Sequence, residues 1–97
     1  MASRLLSLLL IFALAVPLLV AQNKANDDRI YDEVRLRLAN DEEVKGAGLY
    51  VDVKNGVVIL KGRVHSERAK TKATEVAKKV KGVTSVDNQL KLFGVDD

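Results

Sequence analysis

The stretch that most limits the fold is Val51-Asp52-Val53-Lys54-Asn55-Gly56-Val57-Val58-Ile59-Leu60-Lys61-Gly62-Arg63-Val64. Two runs rich in β-branched residues flank an Asn-Gly pair, the pattern that selects a two-residue hairpin turn. With Lys54 and Val57 bracketing the turn, Val53 pairs with Val58, Val51 with Leu60 and Leu49 with Gly62. All these pairs fall on one face, so turn and hydrophobic pattern demand the same register. The opposite face pairs Asp52 with Ile59 and Tyr50 with Lys61, and it is more polar.

Around this hairpin the apolar spacing changes period. Ile30, Val34 and Leu38 recur every four residues, with Tyr31 at their edge, as on a helix with one buried stripe. Asn26, Asp27 and Asp28 are good cap and first-turn residues, so this helix is expected to start there, after a polar linker over 22–27. Glu33 and Arg37 stand four apart in the favourable order. Leu36 projects nearly opposite the stripe and reads as an isolated surface leucine, with contact to a partner as the alternative. Asp41, Glu42 and Glu43 form an acidic turn without the further ligands of a calcium loop. Val44 is expected to tuck under the sheet.

Beyond the hairpin, Ser66 is placed to cap a second helix with Glu67 in its first turn. Ala69, Ala73, Val76, Ala77 and Val80 form its buried stripe, and Gly82 its left-handed stop. Val86, Asn88, Leu90 and Leu92 then alternate with polar residues, which is a third strand. Gly62 sits on the inward face of the second strand. Close approach of the second helix is expected there, with a ligand-admitting gap as the alternative. The element order is helix, strand, strand, helix, strand.

Residues 1–21 differ from the rest. Arg4 is their sole charge and Leu5 to Val20 are almost wholly apolar, the layout of a secretory signal ending near Ala21. An uncleaved inner-membrane anchor is the alternative. The expected location is therefore the periplasm. Without a cysteine, disulfides, zinc–thiolate sites, thiol catalysis and lipidation at a cleavage site are not expected. Beyond Arg4 the chain has 15 basic and 13 acidic residues, a net +2.

Little in the chain suggests catalysis. His65 is the single histidine and cannot build a metal centre, so it reads as a surface or capping residue. Gly46 and Gly48 lack the lysine and spacing of a phosphate-binding loop. Neither enzyme nor cofactor is expected. The candidate contact residues are Lys70, Lys72, Lys78, Lys79 and Lys81 on the second helix, facing anionic phospholipid head groups at a membrane surface. The stripe between them is Ala and Val, with nothing large to sink into acyl chains, so such contact would be peripheral and salt-sensitive. Nucleic acid is not an expected partner, because the strands lack exposed aromatics for stacking. An envelope protein partner or self-association, through Tyr50, Val57 and Ile59 or an edge strand, is the competing reading.

Taken together, residues 28–93 resemble a BON domain, a small module of bacterial envelope and osmotic-stress proteins. The resemblance is carried by Val51, Val53, Asn55-Gly56, Val58, Leu60, Gly62 and Val64, by Ala73 and Ala77, and by Gly82-Val83, Val86, Asn88 and Leu90. It implies an α+β fold of order αββαβ, a three-stranded sheet with two helices on one face. It also implies a non-catalytic role at phospholipid membranes or with envelope partners. Asn55, Gly56, Gly62 and Gly82 would then be structural and name no ligand. Many relatives carry two copies or a lipidated cysteine. A single copy would hold a membrane with less avidity. An acidic tail, 94–97, closes the chain.

Overall fold

The computed structural model describes residues 22–46 and 48–94. The expected signal segment (1–21) and the last three residues of the acidic tail lie outside them. The first helix, α1, covers residues 22–40. It is followed by β1 (Tyr50–Lys54), β2 (Val57–Val64), α2 (Glu67–Lys78) and β3 (Ser85–Leu92). This is the expected αββαβ order.

The hairpin has the register its turn and pattern require: Tyr50 opposite Lys61, Val51 opposite Leu60, Asp52 opposite Ile59, Val53 opposite Val58 and Lys54 opposite Val57. Asn55 (φ 52°) and Gly56 (φ 80°) are both left-handed, as a type I′ turn demands. β2 is central. It pairs antiparallel with β1 and parallel with β3. The parallel pairing needs a crossover, and α2 is that crossover.

Both helices lie on one face of the sheet. Ile30, Val34 and Leu38 of α1 share one core with Val51, Val58, Leu60, Val64 and Leu90 of the sheet. Ala69, Ala73 and Ala77 of α2, with Val80 beyond its end, complete it. Small side chains let the α2 backbone approach the strands closely. Val44 is buried in the same cluster, as expected. Among the described residues, every buried member of this core lies between Ile30 and Leu90, within residues 22–97.

α2 begins as expected. Ser66 is extended (φ −156°) and its hydroxyl accepts from the Ala69 amide at 3.0 Å. β3 is tied to α2 by Asn88. Its amide group donates to the Lys70 carbonyl and the Thr74 hydroxyl, both at 2.7 Å, while its Oδ1 accepts from the Leu90 amide.

Three expectations are corrected. α1 is already helical at residue 22, so residues 22–27 are not a linker and Asn26–Asp28 do not cap the helix. Asp27 is instead spent on a distant partner. Its carboxylate accepts from the Asn55 amide (2.8 Å) and the Gly56 amide (3.0 Å). Those amides point away from the hairpin ladder, and a charged acceptor satisfies both.

Gly82 has positive φ (98°) but does not stop α2, which ends at Lys78. The Lys79 and Val80 amides bond to the carbonyls three residues back, at Val76 and Ala77, and tighten the end. Gly82 matters because a Cβ there would stand 2.9 Å from Arg29 Nη2 and 3.1 Å from Ile30 Cδ1 of α1.

Gly62 (φ 124°) is not crowded by α2 either. A Cβ there would meet Leu49 Cδ2 at 3.0 Å, so the neighbour is the leucine just before β1. Continuing the hairpin spacing by one more pair brings Leu49 alongside Gly62, and the leucine fills the place of the missing side chain.

Replacing Asp27 by Ala strands two turn amides and should destabilise the domain by about 1–3 kcal/mol. Asp28→Ala, on the exposed side of the same turn of helix, should change stability by no more than about 0.5 kcal/mol. Urea unfolding followed by circular dichroism, with an unchanged m-value, checks the pair. Asn88→Ala should cost about 1–3 kcal/mol by the same assay, because it removes the link between α2 and β3.

Candidate functional site

The proposed contact residues sit on α2 and just beyond its end. Each turn of this helix buries an alanine, which leaves lysines on both flanks of the alanine seam. Lys70 and Lys72 are half-buried by their own stems, whereas Lys78, Lys79 and Lys81 are exposed. Glu75 lies on the outer face between the flanks. The nearby Arg68 is engaged with Glu43 at 2.6 Å, tying α2 to the acidic turn after α1. That turn is ordered by Asp41, whose Oδ1 accepts from the Glu43 and Val44 amides.

The five lysines do not all border the same cleft. Lys72 and Lys79 border a groove of about 390 Å³ between α1 and α2. Lys81 borders a different cleft, about 570 Å³, where α1 meets the hairpin turn. Lys70 lies on the β3 side, since its carbonyl receives the Asn88 bond.

The polar groups of the larger cleft hold the fold together. Asp27 binds the turn amides, and Arg29 Nη2 donates to the Lys81 carbonyl at 2.7 Å. Asn55, Gly56 and Gly82 all line this cleft and act there as backbone.

The groove between the helices holds what sequence reading missed. Leu36 is 63% exposed, a surface leucine as expected, and it lines this groove together with Val76. Arg37, Asn40 and Asp41 complete the rim. Arg37 is held by Glu33 at 2.9 Å, the expected helical pair. The missed signal was proximity across two helices. Leu36 stands off the α1 stripe and Val76 lies at the edge of the α2 stripe, and only packing puts them in one groove.

The sheet face away from the helices carries Tyr50, Asp52, Val57, Ile59, Lys61, Gln89 and Lys91. Among the described residues, nothing covers it. Tyr50 is exposed, with the Lys61 ammonium 5.9 Å from its ring centroid. Val57 and Ile59 are half-buried by their neighbours. Around Gly62 this face forms a cleft of about 330 Å³ bordered by Lys61, Arg63 and Lys91. Arg63 donates to the Leu92 carbonyl at 3.1 Å.

Both edge strands carry a side chain turned back on their own backbone. Asp52 accepts from the Val53 amide and Asn88 from the Leu90 amide, which occupies donors that an added strand would use. His65 is exposed and stacks on Phe93, with centroids 4.7 Å apart. Among the described residues, no group of three His, Cys, Asp or Glu side chains is placed to hold a metal ion, and no helix is long and apolar enough to cross a membrane.

Comparison with known proteins agrees with the architecture. The family model for the BON domain matches residues 26–92. Osmotically-inducible protein Y of Escherichia coli (strain K12) is 37% identical over 67 residues, which cover 69% of this chain and 33% of that protein. The chain thus spans about a third of the length of that relative.

Proposed function

The chain belongs to the BON domain family, and on that premise we propose that it is a non-catalytic envelope module that binds weakly to anionic phospholipid surfaces. A link to osmotic stress is suggested by the name of the E. coli relative. An envelope location is the reading of the apolar segment 1–21.

The observation that supports lipid contact is the state of the α2 cations. Lys70, Lys72, Lys78, Lys79 and Lys81 make no ion pair or hydrogen bond through their ammonium groups among the described residues. Elsewhere Arg29, Arg37 and Arg68 are all paired. Each lysine near an anionic leaflet contributes about 1 kcal/mol at low salt. Five together would give about 5 kcal/mol, an affinity on the order of 0.1 mM. Since the five lie on different flanks of the helix and do not all border one cleft, the electrostatic term is smaller than that. Binding would then be reversible and lost as the Debye length shortens to about 8 Å at physiological salt.

One observation favours a second reading. The open sheet face presents Tyr50, Val57 and Ile59, which suits a protein partner or a second copy better than a charged lipid surface.

Co-flotation of residues 22–97 separates the two readings. This span omits the apolar segment, which would itself seek lipid. Flotation with phosphatidylglycerol vesicles but not zwitterionic ones, fading with salt, is expected. Reversing Lys70, Lys72, Lys78, Lys79 and Lys81 to Glu should abolish it. If nothing floats at low salt, the lipid reading is wrong and the sheet face becomes the surface to study.

A further inference from the structure

Leu36 has the most exposed large apolar side chain among the described residues, and the fold makes no use of it. Ile30, Val34 and Leu38 already fill the α1 side of the core and are almost fully buried. Leu36 instead stands exposed on the α1 wall of the groove, with Lys72, Val76 and Lys79 on the α2 wall.

The charges around it are unbalanced. Arg37 is paired with Glu33. Asp41 is the groove's sole carboxylate, and it is turned to the Glu43 and Val44 amides. The two lysines keep no partner of their own among the described residues. Glu75 stands three residues from Lys72 and four from Lys79, and Lys72 also borders a cleft with Glu43 and Glu75, yet neither ammonium is bonded to a carboxylate. The groove lining thus joins one exposed apolar side chain to three cations and one carboxylate.

A soluble polyanion would satisfy the ammoniums and leave Leu36 in water. An apolar ligand would do the reverse. An anionic lipid leaflet satisfies both, with phosphodiesters at the level of the lysines and acyl chains just beneath. Lys70 and Lys81 lack such company. Lys70 lies on the β3 side of α2, and Lys81 lies at the cleft beside the hairpin turn.

We infer that the membrane-facing side of this domain is the groove between α1 and α2, where Leu36 enters the acyl boundary and Lys72 and Lys79 hold lipid phosphates. This rests on the lipid-surface reading above and gives it an orientation. It also supplies the large apolar residue that the alanine stripe of α2 lacks.

The chain has no tryptophan, so Leu36→Trp introduces a single fluorescent reporter at the proposed depth. In residues 22–97, its emission should shift to the blue with phosphatidylglycerol vesicles and be quenched by bromine-labelled acyl chains. Zwitterionic vesicles should do neither. Leu36→Asn should weaken vesicle binding about tenfold, the loss expected for one exposed leucine that is buried only on binding. Its thermal midpoint should stay that of the parent, since the side chain is outside the core. The pair Lys72→Glu and Lys79→Glu should weaken binding more than the pair Lys70→Glu and Lys81→Glu.

If the parent floats but the tryptophan emission does not move, or Leu36→Asn binds like the parent, lipid contact stands and this orientation is wrong. Equal losses from the two lysine pairs would also overturn it, because they would mark a diffuse charge effect without a face. If the parent binds no vesicle, the lipid reading itself fails and the orientation fails with it.

Discussion

The hairpin turn at Asn55 and Gly56 is the joint on which the architecture depends. Its two left-handed residues set the register of β1 against β2. The same turn is then gripped from outside. Asp27 of α1 accepts both of its amides, and the Thr84 amide, just before β3, donates to the Gly56 carbonyl at 2.9 Å. Gly82 completes the joint, because a side chain at Gly56 would press on its carbonyl at 2.9 Å. Two strands, the first helix and the connection to the third strand thus meet at two residues. Arg29, bonded to the Lys81 carbonyl, closes the same corner from α1.

The second constraint is that the sheet is covered on one side. Three strands and two helices make a two-layer domain, so half of the strand positions face away from the core. The helices meet the same limit. α2 buries only small residues, and α1 only a narrow stripe, which leaves their outer faces for charge. The interior holds no buried polar or charged residue among those described. What the domain can do is therefore decided on its surfaces, by unpaired cations and by apolar residues the core did not take up.

Much of the fold is legible in the residues. The Asn-Gly pair with alternating valines dictates the hairpin and its register. Ser66 three residues before Ala69 marks the start of α2, and the alternation through Val86, Asn88 and Leu90 marks the inward face of β3. Features that bind sequence-distant parts were not legible. Asp27 looks like a helix cap because helix starts favour such residues, yet it serves a turn 28 residues away. Gly62 looks like a seat for a helix, but its neighbour is Leu49. Helical spacing alone puts Lys70, Lys78 and Lys81 on one flank of the α2 stripe and Lys72 and Lys79 on the other, but it does not show that the second flank borders a groove with α1. Leu36 reads as a surface leucine and is one, but only packing shows that it lines a groove with Val76.

By itself, the sequence determined the element order, the hairpin register and which side of each element is apolar. Those properties follow from the period of the chain and the conformations that single residues tolerate, both local and readable in one dimension. Tertiary structure alone decided that β2 is central, that Asp27 secures the turn, and that Leu36, Lys72 and Lys79 share a groove. Each depends on how two helices settle on one sheet, and that is set by side-chain volumes and close approach between segments that no local spacing relates.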